Sequence, residues 1–188
     1  MIRFRHVVIV PFSADLHLHE CVEVLRRVRA SDATYPPQRD VGGDPDSFAA
    51  WLLDYPALGR WVAVIDGVVT GHVMVSTPHD YLVEHIGDGL TQGPLGGQIA
   101  EIAKFFVDPL FQRRGVGEAL LSESRAFSWA KGLQPSLAVV ATSVSAVRLY
   151  ERAGLKRRGS FQGVHGENLV FVDERPGSGA EMPLGFRV

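Results

Sequence analysis

Residues 98–120 constrain the fold and the chemistry of this chain more than any other segment does. An apolar run rich in β-branched and aromatic residues ends at an Asp-Pro turn, and a helical pattern begins soon after it with Q-R-R-G-V-G at residues 112–117. Unpaired N–H groups and the positive end of the helix dipole make a helix N-terminus an anion site. Gly115 and Gly117 leave that backbone accessible, and the two arginines add positive charge. The segment therefore predicts a site for a pyrophosphate-bearing cofactor.

Two other kinds of phosphate-binding loop do not fit this segment. A Walker loop requires G-x-x-x-x-G-K-S/T, and the chain contains no such pattern. A dinucleotide fingerprint requires G-x-G-x-x-G, but the third glycine position here is Leu120, and no acidic residue stands at a convincing distance on a second strand. Neither loop explains the two glycines.

Composition limits the classes of protein to which the chain can belong. Its 188 residues suit one domain, and 46% hydrophobic with 21% charged residues is an ordinary globular balance. A formal net charge of −2 disfavours a dedicated nucleic-acid-binding protein. The single cysteine, Cys21, falls in an apolar helical stripe and predicts a packed thiol. No leader-peptide pattern and no membrane-length apolar stretch are visible, so we expect a cytoplasmic protein without a membrane partner.

The predicted elements follow the order β-α-α-β-β-β-α-β-α-β-β, a mixed α/β domain over residues 3–174 with a tail at 175–188. The Asp66-Gly67 pair predicts a tight hairpin. Asp46 or Ser47 is the expected N-cap of the helix that ends near residue 54, and Gly132 is the expected left-handed cap after the helix at 115–131. Residues 76–97 contain five glycines and two prolines and predict a long irregular loop. The predicted strands cover about 3–10, 60–66, 68–75, 98–107, 136–141, 155–162 and 168–174, and the predicted helices cover about 13–30, 46–54, 115–131 and 143–153.

Two motifs in the second half of the chain resemble those of the GNAT N-acetyltransferase superfamily. Residues 112–117 resemble its acetyl-CoA signature, Q/R-x-x-G-x-G/A, and residues 145–159, SAVRLYERAGLKRRG, resemble its later motif, A-x-x-x-Y-x-x-x-G-F/L. The motifs stand in the family's order with a predicted strand between them. The resemblance covers about residues 3–174. It implies a GNAT-like fold, with a mostly antiparallel, partly splayed mixed sheet flanked by helices.

The resemblance also implies acetyl transfer from acetyl-CoA to a primary amine by direct attack on the thioester. The backbone of Phe105 and Val107 would hold the pantetheine arm, and the Val107 N–H would donate to the thioester carbonyl. The backbone amides of residues 112–117 would hold the pyrophosphate. The implied acetyl-CoA-binding residues are Phe105, Phe106, Val107, Gln112, Arg113, Arg114, Gly115, Val116, Gly117, Ser143 and Tyr150.

Two side chains are candidates for catalysis. Glu101 lies six residues before Val107 with the same predicted strand parity, and it is the candidate base for the amine, directly or through water. The alternative is a structural charge at the end of the strand. Tyr150 falls on the family's tyrosine position and is the candidate acid for the CoA thiolate, and its alternative role is core packing. Ser143 stands where many relatives carry asparagine, which changes that cofactor contact.

The sequence constrains the acceptor less. Segments 31–46, 76–97 and 162–167 are expected to select it, and their acidic excess suits a small cationic amine. A protein or peptide amine, or a non-catalytic acyl-CoA sensor on the same fold, remain alternatives, and a homodimer is common among such folds. No metal is expected, because the His79–His85 spacing matches no standard zinc pattern. Residues of these segments that are candidates for acceptor contact are Tyr35, Asp40, Asp44, Asp80, Tyr81, Glu84, Asp88, His165 and Glu167.

Overall fold

The computed structural model describes residues 6–36, 41–86 and 98–174. The strands are β1 (Val8–Pro11), β2 (Ala57–Ile65), β3 (Val68–Ser76), β4 (Ile99–Val107), β5 (Gln134–Val140), β6 (Lys156–Gly163) and β7 (Gly166–Val172). The helices are α1 (Ala14–Ser31), α2 (Pro45–Leu53), α3 (Asp80–His85), α4 (Val116–Ala130) and α5 (Val144–Arg152), with a 3₁₀ turn at Pro109–Phe111. Predictions that concern residues 3–5, Asp40, Asp88 and the tail lie outside the described residues.

One seven-stranded sheet, in the order β1-β2-β3-β4-β5-β7-β6, runs through these residues. Its neighbouring strands are antiparallel except β4 and β5, which are parallel. The parallel pair joins only Ile99–Gln134 through Glu101–Ser136, although both strands continue beyond that point. The sheet therefore opens between the second halves of β4 and β5, which confirms the predicted mixed, partly splayed sheet.

Both faces of the sheet are covered by helices. Leu120 and Leu121 of α4 are buried in one core cluster with residues of β2 to β5 and β7, and α5 packs at its edge. On the other face, Leu25 of α1 and Phe48 of α2 are buried in a second cluster. Leu25 and Leu120 are completely inaccessible to solvent, as expected from their positions on apolar helix stripes. The opening in the sheet thus lies between two packed layers.

Local signals account for most of the turns. Asp66 and Gly67 have φ angles of 52° and 80°, the left-handed pair that a two-residue hairpin requires, so the predicted hairpin is confirmed. Gly132 also has a positive φ, 73°, just after α4, as predicted for a helix C-cap. The predicted cap of α2 at residue 46 or 47 is wrong. Asp44 caps this helix instead, because its side chain accepts a hydrogen bond from the Ser47 N–H.

The predicted irregular loop at residues 76–97 is interrupted by α3, which the sequence analysis missed. This helix has six residues, too few to display a helical period. Its stability comes from tertiary packing, since Leu82 is fully buried in a third cluster with Ile86 and two residues of β7. Gly159 of β6 lies directly under α3, where an added Cβ would stand 2.0 Å from the His85 carbonyl oxygen. A glycine at that position lets α3 approach the sheet.

Candidate active site

The start of α4 has an exposed and uncapped backbone. Its N-cap residue, Gly115, has φ of 81° and no side chain with which to cap the helix, and no side chain among the described residues is hydrogen-bonded to the first N–H groups. Arg113 also lies in the left-handed region, with φ of 58°, and residues 112–115 are exposed. Left-handed residues next to right-handed ones turn successive N–H groups toward one concave surface, a geometry that binds anions. Arg114 is held above the Phe111 ring at 5.2 Å.

Two glycines set how closely this helix start approaches the sheet. A Cβ on Gly71 of β3 would lie 2.8 Å from the Phe106 carbonyl oxygen and 3.2 Å from a Val116 methyl carbon. A Cβ on Gly117 would lie 3.2 Å from a Leu149 methyl carbon. The first turn of α4 is therefore packed against β3, where the backbone contact at Gly71 leaves no room for a side chain, and against α5, where Gly117 meets only the end of a side chain.

Asp108 fixes the turn that carries the chain from β4 to this helix. Its carboxylate is buried, accepts the Leu110 N–H at 2.9 Å and accepts both Nε and an Nη of Arg27 at 3.0 and 2.7 Å. The Asp108 N–H donates to the Thr70 carbonyl at 2.8 Å. This bond pattern agrees with the prediction that Asp108 has a turn role. The Arg27 contact from α1 was not predicted, because nothing in the sequence relates residues so far apart.

A β-bulge interrupts β4 at Lys104. Met74 pairs with Ala103 and His72 with Phe106, so two residues of β4 oppose one of β3, and Lys104 has φ of 47°. The prediction that Glu101 and Val107 share strand parity is therefore wrong. Glu101 lies on the face that Phe106 occupies after the bulge, whereas Val107 lies on the face of α4.

Beyond the bulge, β4 offers backbone donors to the opening in the sheet. Because the Asp108 N–H points to β3, the alternation of a strand directs the Val107 and Phe105 N–H groups to the opposite side, toward β5. The β4–β5 ladder ends at Glu101, so the described part of β5 does not pair with these groups. The side chain of Phe106, by contrast, is buried in the core on the α1 face.

Glu101 is buried at the point where the two strands separate. Its side chain is 3% exposed. Oε2 accepts the His79 backbone N–H at 2.9 Å and the His79 Nδ1–H at 2.8 Å, while Oε1 accepts the Tyr81 hydroxyl at 2.5 Å. A carboxylate can only accept, so His79 must carry a proton on Nδ1. Three donors thus hold the predicted base in one position.

The His79 ring lies among aromatic side chains at the rim of this cluster. It stacks on Tyr55 at a centroid distance of 4.1 Å and on Tyr81 at 5.4 Å, and its side chain is 36% exposed. The hydrogen bond to Glu101 raises the pKa of His79 above its ordinary 6.5, against the opposing effect of partial burial. Burial and the nearby carboxylate raise the pKa of Tyr81, so its hydroxyl remains a donor.

Lys104 closes the other side of this cluster. Its ammonium group donates to the Trp51 carbonyl at the end of α2, pairs with Asp54 and lies 5.2 Å from the centre of the Trp51 ring. On the neighbouring β3, burial lowers the pKa of His72 to about 4, and its Nδ1–H donates to the Lys104 carbonyl at 2.8 Å. These contacts support the backbone of the bulge, a conformation that a non-glycine residue adopts at some cost.

Tyr150 occupies the α5 side of the opening. It is 6% exposed and packs at centroid distances of 6.2 Å from Phe105 and 5.8 Å from Phe171. Burial raises the pKa of its phenol. Ser143 lies at the N-cap of α5, where its hydroxyl makes no capping bond. Both tyrosine roles considered from the sequence, packing and proton chemistry, are compatible with this position.

The structure groups the sequence candidates into two parts. Residues 112–117 lie together at the start of α4, and Phe105, Val107 and Tyr150 lie along the opening. Tyr81 joins Glu101, but the sequence did not indicate His79 as its second partner. Within the described ranges no group of three His, Cys, Asp or Glu side chains is arranged to hold a metal ion. None of the described helices is long and apolar enough to span a membrane.

Comparisons with known proteins show the family and the fold of this chain. A model of the acetyltransferase (GNAT) family matches residues 25–155. The L-amino acid N-acetyltransferase AaaT of Escherichia coli is 25% identical over 156 residues, which are 80% of this chain and 86% of the relative. The solved GNAT-family acetyltransferase of Streptococcus pneumoniae has a TM-score of 0.65 at 18% identity over 89% of this chain and 98% of its own. Salmonella typhimurium yncA, solved with its cofactor acetyl-CoA, has a TM-score of 0.65 at 19% identity over 93% of this chain and 96% of its own. Since the family model spans more than half of the residues, this chain belongs to the GNAT acetyltransferase family.

Proposed function

We propose that this protein is an acetyl-CoA-dependent N-acetyltransferase that acts on the primary amine of a small, amino-acid-like molecule. The observation that carries the proposal is the combination of the β4 edge that the described part of β5 leaves unpaired with the helix start at Gly115. A β-strand edge suits an amide-containing arm such as pantetheine, and a helix N-terminus suits a pyrophosphate. The residues at both places therefore fit acetyl-CoA, whose thioester would supply an activated acetyl group.

Residues 112–117 would hold the pyrophosphate through their N–H groups. Arg113 and Arg114 would add charge beside it, because both side chains are exposed at that end of the helix. The Phe105 and Val107 N–H groups, which point away from β3, would bind along the arm. The Val107 N–H would also donate to the thioester oxygen, a type of contact whose loss costs about 10²–10³ in rate.

The acceptor must lose a proton before its nitrogen can attack. A primary amine of pKa about 10.4 is mostly protonated near pH 7, so a base increases the reactive fraction. The neutral amine then forms the C–N bond as the C–S bond breaks, the sulfur leaves as a thiolate, and the nitrogen releases its second proton to solvent as the amide forms. Glu101 and the side chains bonded to it lie on the α1–α2 face of the opening, and this cluster would supply the base.

Tyr150 would stabilise the negative charge on the leaving sulfur. Its raised pKa keeps the phenol protonated near neutral pH. Complete proton transfer to a thiolate of pKa about 8.5 is unfavourable for such a phenol, so its contribution is a hydrogen bond to the developing charge. The thiolate then takes its proton from solvent. This role is weaker than that of a general acid, which would transfer its proton to the sulfur completely.

The small acceptor is supported by the name of the relative, an L-amino acid N-acetyltransferase, and by the aromatic surroundings of Glu101. The test incubates the protein with acetyl-CoA and a panel of L-amino acids, simple primary amines and short peptides, and follows free thiol. The N-acetylated form of each compound is its matched control. We expect thiol release with free small amines and none with the controls.

Two results would overturn this assignment. Release with peptides alone would point to a protein or peptide acceptor. Acetyl-CoA binding without release by any compound would point to a sensor on the same fold.

A further inference from the structure

The carboxylate of Glu101 has little capacity left for a substrate. Two donors from His79 occupy Oε2 and the Tyr81 hydroxyl occupies Oε1. A carboxylate offers about four acceptor positions, so three of them are used. Only 3% of its side chain is exposed, and the groups around the Glu101 carboxylate are the ones that donate hydrogen bonds to it, His79 and Tyr81.

His79 is the more exposed partner in this pair of side chains. Its Nδ1 carries the proton that binds Glu101, so in the neutral ring the lone pair is on Nε2. Within the described residues no hydrogen bond engages that nitrogen, and 36% of the side chain is exposed. Stacking on Tyr55 and Tyr81 fixes the plane of the ring. This is the geometry of a base oriented by a carboxylate.

The groups around His79 adjust its proton affinity. Glu101 of β4 raises the pKa of the ring, first by hydrogen bonding and then by charge, and Asp54 at the end of α2 raises it further. Partial burial and Lys104 oppose this effect. Tyr55 and Tyr81 both stack on the ring, and the raised pKa of Tyr81 keeps its hydroxyl neutral. The ring is therefore a stronger base than an isolated histidine.

We propose that His79 is the catalytic residue that removes the proton of the acceptor amine, at Nε2, and that Glu101 is a positioning residue that holds its ring. This inference rests on the proposed function and deepens it. The ammonium group of the acceptor gives one proton to Nε2 and becomes a neutral amine. The imidazolium that forms is stabilised by the Glu101 carboxylate, and it later releases the proton to solvent.

The first experiment tests the pair without turnover. The imidazole Cε1–H signal of His79, assigned by its loss in His79→Gln, is followed by NMR against pH. We expect a pKa above 6.5 in the unmodified protein, a lower pKa in Glu101→Gln, and no change in His85→Gln. His85 is a matched control, because it lies at the end of the helix that His79 precedes, but its ring binds the Tyr81 carbonyl rather than Glu101. A His79 pKa that does not respond to Glu101→Gln would refute the pairing.

The second experiment measures kcat against pH at saturating acetyl-CoA. We expect His79→Gln to lose about 10²-fold or more in kcat together with the acidic limb of the profile. Added imidazole should partly restore His79→Ala. Glu101→Gln should retain an acidic limb that is displaced to lower pH, and His85→Gln should retain both the rate and the profile.

The outcomes separate the two proposals. If Glu101→Gln removes the acidic limb while His79→Gln keeps it, Glu101 is the base and the assignment of His79 is refuted. A loss of rate in His79→Gln without any change of profile or rescue would also refute it, because a purely structural role predicts that result. Failure of the unmodified protein to release thiol with any amine would instead refute the proposed function.

Discussion

Replacing Gly117 with glutamate tests directly whether the start of α4 binds the pyrophosphate of acetyl-CoA. Gly117 lies in the first turn of α4, and a Cβ built on it would contact only a Leu149 methyl carbon at 3.2 Å and a Val107 methyl carbon at 3.7 Å. These are the ends of side chains rather than backbone, so a larger residue can be accommodated by small shifts. Gly117→Glu should therefore fold and place a negative charge beside the exposed loop.

The magnitude follows from Coulomb's law. A carboxylate about 4 Å from a phosphate charge costs about 1 kcal/mol at the dielectric constant of water and about 4 kcal/mol at an effective value near 20. The exposure of residues 112–115 places the site between these limits. We expect a loss of about 1.5–3 kcal/mol, which corresponds to an increase of about 10- to 150-fold in the Kd for acetyl-CoA.

Calorimetric titration with acetyl-CoA measures this change, with Gly117→Gln as the variant of matched size. The neutral variant should lose clearly less affinity, and the difference between the two should shrink at high salt because exposed charges are screened. Equal losses in both variants would show that bulk alone matters and would contradict the electrostatic argument. An unchanged Kd in Gly117→Glu would refute the assignment of the pyrophosphate to this helix start.

Three further predictions follow from other parts of the structure. Tyr150→Phe should lower kcat by about 10- to 100-fold with little change in the Kd for acetyl-CoA, since only a hydrogen bond to a developing charge is lost. Full activity of this variant would show that Tyr150 has only a packing role. Gly71→Ala should destabilise the protein by about 1–3 kcal/mol in urea unfolding and weaken acetyl-CoA binding, because its Cβ meets the Phe106 carbonyl oxygen at 2.8 Å; unchanged stability would contradict this close approach. The pKa of His72 is lowered to about 4 in the folded protein, so stability is complete above the ordinary value of 6.5 and falls as the pH drops toward 4, by about 3 kcal/mol in all. His72→Asn should flatten that dependence, and an identical pH profile of unfolding would show that His72 does not cause it.

Local sequence signals predicted the parts of the fold that depend on neighbouring residues. The Asp66-Gly67 hairpin, the glycine after α4 and the strand–turn–helix at residues 98–120 all appear, because backbone conformation there is set by the residues themselves. The α3 helix was missed, since its six residues owe their conformation to Leu82 in a tertiary cluster. Such packing leaves no periodic pattern to read.

The candidate site likewise has one part that local sequence signals predicted and one part that they did not. The helix start at residues 112–117 could be identified from two glycines and two arginines in a short motif. The surroundings of Glu101 could not, because His79 and Tyr81 reach it from a segment that reads as an irregular loop. The bulge at Lys104 has no glycine to indicate it in the sequence. Because of this bulge, Glu101 and Val107 lie on opposite faces of the sheet rather than on one face. Contacts between distant residues decide these features.

The most direct test of acetyl transfer to a small amine is the quantification of both reaction products. Purified protein, acetyl-CoA and an L-amino acid or other small primary amine are incubated together, and the N-acetylated amine and the free CoA thiol are quantified in the same sample by mass spectrometry. Acetyl transfer predicts that the two products form in equal amounts and that both disappear when the amine is omitted. Thiol formed without acetylated amine, or neither product with any amine tested, would contradict the assignment of this protein as an N-acetyltransferase of small amines.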